Sequence, residues 1–508
     1  MNTSYEKNYS QLFAYSRECT LLESIEGILG WDQETYMPSS AIGLRSSQME
    51  LLAHLRHKHA TSPKFKRLLS SLIDLKSGDY IATDLPKEKW AALREWRRDF
   101  LQASKLPSSF VRLFAKTTSE AQHVFATAKD HADFSLLAPH LEKIVSLNRR
   151  KADYLGFEEH PYDALLDLYE PGMTIRELVP LFFRLKEELL FLVKEIQTKE
   201  PPRTDFLHKE YSQTNILRFS HLLLKTMGFS SETSRLDLSV HPFCASISPY
   251  DTRMTTHMHN NDPMGTILAV LHEGGHGLYS MGRPAEHFGS PLCMPVSLGI
   301  DESQSRFWET LIGLGLPFWR YFFPILQEEC VDQLGGIDFD TFYRAINHVH
   351  PSCIRIHADE VTYNLHIILR LEIEKALIEG TLKVKEIPEL WNEKMETYLG
   401  IRPKNHREGC LQDIHWSMGA IGYFPTYTLG NLYAAELFAS FKKHYSEWEE
   451  RIARGDLGFI REWLKEKIHK FGRIYSPKEL IQNATGNPLS ETAYISHLKK
   501  KFLPLYSL

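Results

Sequence analysis

Residues 272–276 read His-Glu-Gly-Gly-His. Two histidines four apart on a helix share one face about one turn apart, which lets both imidazoles meet a single zinc ion at about 2.0–2.1 Å. Glu273 is turned by about 100° from His272 around the helix axis, out of reach as a third ligand but able to act as general base on a water the ion activates. A third ligand has a source downstream, in Ser297-Leu298-Gly299-Ile300-Asp301-Glu302-Ser303-Gln304-Ser305-Arg306, which reads as the first turns of another helix. Glu302 lies far enough past His276 for one helix to end at Gly282-Arg283-Pro284 and the chain to loop back. Asp301 and Glu309 are the alternative carboxylates. Two histidines, one carboxylate and an open fourth position make a catalytic rather than a structural zinc site.

The element carrying this pattern is readable. Asp262 before Pro263 is an N-cap followed by proline at the first helical position, and Ile267, Leu268, Val270 and Leu271 supply an apolar face. An ordinary helix with two surface histidines is the plain alternative. Against it stand Gly274, Gly275 and Gly277, each costing a helix interior about 1 kcal/mol relative to alanine. Close approach by another segment is the natural reason for three glycines in one turn.

Around this helix, nearly every segment from Tyr5 to about Phe229 has helical periodicity, as in Leu178, Leu181, Leu185, Leu189 and Leu192. Met37-Pro38-Ser39-Ser40, Thr61-Ser62-Pro63, Leu106-Pro107-Ser108-Ser109 and Lys199-Glu200-Pro201-Pro202 divide it into antiparallel helices. The Pro-Pro pair is the expected lobe boundary. Between Ser234 and Thr256, Leu236, Leu238 and Val240 alternate with polar residues and threonines cluster, predicting a small β-sheet. Helices then resume to near the carboxyl end. The expected fold is mainly α: two lobes, about 1–200 and 201–508, around a deep central groove, with the sheet near the active site. Lys465 to Lys470 reads as a solvated helix face, and Trp96 to Phe100 and Phe318 to Phe323 as core.

Composition narrows the function classes. Lys plus Arg (59) against Asp plus Glu (64) gives a net charge of −5, which supplies no electrostatic footprint for nucleic acid or an anionic membrane. Leu314 to Leu326 is interrupted by Arg320, and no stretch reaches the roughly 18 apolar residues of a membrane span. The amino terminus lacks a signal-peptide pattern, so a cytoplasmic address is expected. The six cysteines contain no Cys-x-x-Cys pair, suggesting reduced thiols rather than a disulfide framework or zinc ribbon.

An ordered set of motifs runs almost end to end: Trp31 to Pro38 (WDQETYMP), His241-Pro242-Phe243, Asp251 to Thr256 (DTRMTT), HEGGH, Glu302 to Arg306 (ESQSR), Ile354 to Asp359 (IRIHAD), Gly409 to Trp416 (GCLQDIHW) and Gly422 to Tyr427 (GYFPTY). In this the sequence resembles the thermostable carboxypeptidase Taq family of zinc metallocarboxypeptidases. One departure is visible: the family usually has histidine before the ligand glutamate, and here that place is Asp301. The substitution puts the surroundings of the metal in question, and with them its affinity or choice, not the ligand itself.

The resemblance implies removal of single amino acids from the carboxyl termini of peptides with broad side-chain tolerance, zinc or cobalt as the metal, and a homodimer. His272, His276 and Glu302 would hold the ion, and Glu273 would pass the water proton to the leaving amine. An exopeptidase must also read a terminal carboxylate, which the planar fork of arginine binds best. Arg355 and Arg253 are the candidates; Asp359 lies one helical turn beyond Arg355, and Asp251 shares a strand face with Arg253. Structural ion pairing is the alternative for both. Tyr423 and His415 are candidate donors to the oxyanion of the tetrahedral intermediate. His241 is a candidate pocket-lining residue, with a structural role at a strand end as the alternative. For Trp31 to Pro38, a lid, a groove wall and core packing are all open. Two other readings compete: an endo-acting helical oligopeptidase in which no arginine caps the groove, and a catalytically silent scaffold whose metal is structural or absent.

Overall fold

The computed structural model describes residues 3–508. Helices α1 (Thr3–Thr35), α2 (Ile42–Ala60), α3 (Pro63–Ser70), α4 (Lys87–Lys105), α5 (Ser108–Asp130), α6 (Phe134–Leu155), α7 (Pro161–Leu166), α8 (Ile175–Ile196) and α9 (Gln213–Met227) fill the first half, broken where the proline signals fall. Ser62 illustrates the punctuation: its hydroxyl accepts from the Phe65 amide, and Pro63 occupies the first turn, where no amide hydrogen is needed.

Strands β1 (Ser234–Leu238), β2 (Cys244–Ser248) and β3 (Asp251–Thr256) follow, with β3 central, parallel to β1 and antiparallel to β2. Helices α10 (Pro263–Gly282) and α11 (Leu298–Arg306) come next, and α11 runs directly into a π-helical turn over Phe307–Ile312. The remainder is α12 (Leu316–Glu329), α13 (Val331–Leu334), α14 (Phe339–Ile346), α15 (Tyr363–Glu379), α16 (Ile387–Leu399), α17 (Pro425–His444), α18 (Trp448–Ile452), α19 (Gly458–Lys467), α20 (Pro477–Thr485) and α21 (Thr492–Leu505). Among the described residues no helix is long and apolar enough to cross a membrane.

The main hydrophobic core extends from Ala121 to Tyr506, drawing α5 to α8 into one interior with α15, α17 and α21. Packing is therefore continuous across Pro201-Pro202, and the lobe boundary expected there is not a break in the core. A second, smaller core joins α1, α3 and α4 through Tyr9, Leu12, Leu69, Trp96 and Phe100 and reaches the main body at Leu292.

The Trp31 motif explains how α1 meets the sheet. Arg235 and Arg253 are register partners on the parallel strands β1 and β3, which sets two like charges side by side. Each is neutralised by a carboxylate two residues away, Asp237 and Asp251. The Trp31 ring takes both guanidiniums, at 4.8 and 4.5 Å from its centroid, and Tyr36 donates to Asp237 at 2.6 Å.

Candidate active site

Helix α10 begins as expected, with the Asp262 side chain accepting from the Gly265 amide, and α11 begins at Ser297, whose hydroxyl accepts from the Ile300 amide. The glycines do what crowding requires. A Cβ on Gly275 would stand 2.5 Å from the Gln304 carbonyl oxygen and 2.6 Å from Ser305 Cα, so α10 and α11 meet backbone to backbone. On the other side, a Cβ on Gly430 of α17 would stand 2.4 Å from Glu302 Cγ. Glu302 is thereby wedged between two helices, with its side chain directed at the histidines.

Donor atoms of His272, His276 and Glu302 all lie within 4.8 Å of one another. Glu302 Oε2 is 3.8 Å from His272 Nε2 and 3.7 Å from His276 Nε2. The other ring nitrogens are already engaged: His272 Nδ1 donates to Glu309 Oε2 at 2.8 Å, and His276 Nδ1 donates to Asp301 Oδ1 at 2.8 Å. Ionised carboxylates only accept, so each Nδ1 carries a proton and Nε2 is the atom of each ring that can give up its proton and offer a lone pair to the shared space. Asp301 and Glu309, the alternative ligands, instead stand behind the imidazoles. Glu309 gets there because the π-helical turn widens the backbone just after α11.

This nest is strongly anionic. Burial alone would lower the His276 pKa, yet Asp301, Glu273 and Glu302 raise it to about 10, and Glu302 and Glu309 likewise raise His272. Glu273 is buried, which lifts its carboxyl above the usual range while the two histidines pull it back. Burial also opposes ionisation of Glu309, but Arg306, 2.7 Å away, and His272 hold it at about 2. A site that draws protons onto its imidazoles in this way is built to hold a cation, and its donor set of two nitrogens and one oxygen suits a divalent ion.

A cavity of about 300 Å³ opens on these groups, bounded by His272, Glu273, His276 and Glu302 on one side and Pro242, Phe243, Tyr423, Thr426 and Tyr427 elsewhere. Burial pushes the Tyr423 phenol up to about 12, so it remains a donor at neutral pH. His415 stands one layer back, its Nε2 hydrogen-bonded to Tyr427 Oη at 3.2 Å. Burial lowers its pKa to about 4, against the pull of Asp413, and keeps the ring neutral. His241 is exposed and its side chain does not line this cavity, although the next two residues do.

The two arginines differ. Arg253 is engaged through Nε and Nη2 by bidentate hydrogen bonds to Asp251 at 3.0 and 2.9 Å and by stacking on Trp31. Arg355 is buried beneath Tyr427, its guanidinium 4.9 Å from that ring centroid, and donates to Tyr363 Oη and to Asp413 Oδ1. Asp359, the expected partner of Arg355, corrects the sequence reading. Residues 355–357 form a 3₁₀ turn and not a helix, so the spacing of four does not align the pair, and Asp359 instead caps the backbone amides of His350, Val361 and Thr362. Asp413 also accepts from Arg370 at 2.7 and 2.5 Å, so one carboxylate serves two guanidiniums.

Sequence reasoning missed several contributors. Tyr427 and Asp413 had a signal, since both lie inside the quoted motifs, but nothing in the spacing paired them with each other or with Arg370, which lies in none. Lys465 to Lys470 is corrected too: α19 ends at Lys467 and the chain turns inward, burying His469 so that its Nε2 donates to Gln304 Oε1 at 3.0 Å behind α11.

Residues 11–502 match the sequence profile of a family described as carboxypeptidase Taq (M32) metallopeptidase. The chain is 39% identical to thermostable carboxypeptidase 1 of Thermus thermophilus, over 99% of each chain. It is 39% identical to thermostable carboxypeptidase 1 of Pyrococcus furiosus, over 97% of this chain and 98% of the other. A solved structure of the M32 carboxypeptidase from Deinococcus radiodurans superimposes with a TM-score of 0.95 at 34% identity, covering 99% of this chain and 100% of that one.

Proposed function

Because this chain belongs to the carboxypeptidase Taq (M32) family of metallopeptidases, we propose that its divalent ion is zinc, with cobalt as a functional substitute, held by His272, His276 and Glu302. The protein is a metal-dependent carboxypeptidase acting on peptides. One observation carries the ligand assignment: the two Nε2 atoms and Glu302 Oε2 converge while each Nδ1 is tied to a carboxylate. When bound, such an ion supplies Lewis acidity, polarising a carbonyl and acidifying water.

The chain's own groups do the rest. Glu273, buried at the cavity wall, takes a proton from the attacking water on its carboxylate and returns it to the leaving amine nitrogen. Tyr423 donates its phenolic proton in a hydrogen bond to the developing oxyanion. His415, neutral and bonded to Tyr427, supports that wall from behind.

Arg355 reads the terminal carboxylate of the substrate. The excess positive charge of Arg355 and Arg370 over Asp413 supports this role, since a second anion is what the cluster lacks. Arg253 is satisfied by Asp251 and Trp31, and we assign it to holding α1 on the sheet at the groove edge, with His241 at the cavity rim through Pro242 and Phe243. Broad side-chain tolerance follows from recognition that rests on the carboxylate. Six unpaired cysteines support a reducing, cytoplasmic location; the homodimer rests on the family resemblance and is checked by sedimentation.

The test is metal analysis of the purified protein followed by chelation and restoration. We expect one zinc per chain, loss of activity on chelation, and recovery with zinc or cobalt. A peptide amidated at its carboxyl terminus is expected to be nearly inert; equal rates on free and amidated peptides overturn the exopeptidase assignment.

A further inference from the structure

We propose that Asp301 is a positioning residue for the His276 imidazole, so that this chain grips its ion between two carboxylate-backed histidines. The inference rests on the ligand assignment above. His276 Nδ1 lies 2.8 Å from Asp301 Oδ1. With Nδ1 donating, the ring is fixed in one tautomer and one rotation, and Nε2 keeps its lone pair for the ion.

The two backing carboxylates are not equivalent. Glu309 divides itself between His272 and the buried Arg306, whose Nη1 is 2.7 Å away, so much of its charge is cancelled. Asp301 forms no ion pair with lysine or arginine among the described residues; its ion-pair partner is His276. It stands in the first turn of α11, fixed by the Ser297 cap, where a negative side chain also meets the favourable end of the helix dipole. Its side chain is 26% exposed, at the wall shared by the metal-facing cavity and a second cavity of about 330 Å³ bounded by Thr20, Glu23 and Ser24 of α1. A whole, partly solvated negative charge therefore backs one ligand, and a largely neutralised one backs the other.

A histidine in place of Asp301 would carry no fixed negative charge and would accept from His276 only in one tautomer. The Asp301 carboxylate, 2.8 Å from His276 Nδ1, accepts from it and makes His276 the stronger donor to a dication.

The experiment uses the full-length chain with zinc alone as probe, its affinity read by competition with a chromophoric chelator. Asp301→Ala is expected to weaken binding about 10–100-fold, in the range for loss of a group that orients a metal ligand. Asp301→Asn keeps an acceptor oxygen without the charge and is expected to fall between the two. In the cobalt-loaded proteins the visible absorption bands should shift in Asp301→Ala and shift less in Asp301→Asn, a signature that a purely structural aspartate does not give. Unchanged melting of the metal-free variants excludes a folding defect; if Asp301→Ala fails to fold, Asp301→Asn carries the comparison. Affinity within twofold of wild type together with unshifted cobalt bands overturns the proposal. A wild-type chain that binds no zinc overturns the ligand assignment beneath it.

Discussion

Two charged clusters flank one cavity and are unbalanced in opposite directions. Around His272 and His276 stand four carboxylates, Glu273, Asp301, Glu302 and Glu309, against the single guanidinium of Arg306. Behind Tyr427, two guanidiniums, Arg355 and Arg370, share the one carboxylate of Asp413. Removing a charge from water without a partner costs several kcal/mol, so each imbalance marks a counter-ion supplied from outside the chain. Under the function proposed above, the first is met by a dication and the second by the carboxylate of a peptide. The Arg253–Asp251 pair is the control case, one guanidinium matched by one carboxylate and stacked on Trp31.

The largest expected effect separates chemistry from ion holding within the anionic cluster. Glu273→Gln should lower kcat about 10³–10⁴-fold with zinc content unchanged, because it removes the proton acceptor but no ligand. Loss of zinc along with activity would show that Glu273 belongs to the ion's shell. Next comes the cationic cluster. Arg355→Ala should reduce kcat/KM on free peptides about 10²–10³-fold and leave the slow amidated peptide unaffected, which narrows the gap between the two substrates. Arg253→Gln, by contrast, should leave that gap as it is and lower the melting temperature instead. Equal behaviour of the two variants would erase the distinction between an open and a closed arginine.

A smaller effect probes the wall between the clusters. Tyr423→Phe should cost about 10²-fold in kcat with KM little changed, as expected for a donor used only in the transition state. The smallest concerns acid stability. His415 and His469 have folded pKa values lowered by burial to about 4 and about 3, so the unfolded chain takes up protons first as the pH falls below about 6.5. Between pH 6.5 and about 4 the zinc-loaded protein should therefore lose more stability, or gain less, than His469→Gln, a difference that isolates the buried ring from Glu170 and Glu374, whose carboxyls burial raises to about 7 and which act in the opposite direction. Identical slopes in wild type and His469→Gln would contradict the neutral buried ring.

Local chemistry made much of the catalytic helix legible. Asp262-Pro263 and Ser297 mark helix starts because capping is a short-range interaction between neighbours in sequence. The HEGGH spacing fixes two imidazoles on one face because the helix repeat is set by backbone geometry. Periodicity and proline breaks gave the mainly helical architecture for the same reason. The Asp359 error has an equally local cause: the spacing argument holds only on a helix, and the backbone there is a 3₁₀ turn.

What the sequence determined by itself is thus the set of groups, the two histidines, their intervening glutamate and the elements on which they ride. The tertiary structure decided which carboxylate faces the Nε2 atoms of the histidines and which stand behind the rings at Nδ1. Glu302 faces the histidines because Gly275 and Gly430 let α10 and α17 close on α11, while Asp301 and Glu309 are turned behind the rings by the first turn of α11 and the π-helical turn after it. It also decided that Arg355 shares Asp413 with Arg370, three residues distant in sequence whose charges interact only once the chain has folded. Spacing along a chain reports which side chains share a helix face; orientation across helices depends on how closely backbones approach, and that is settled by packing.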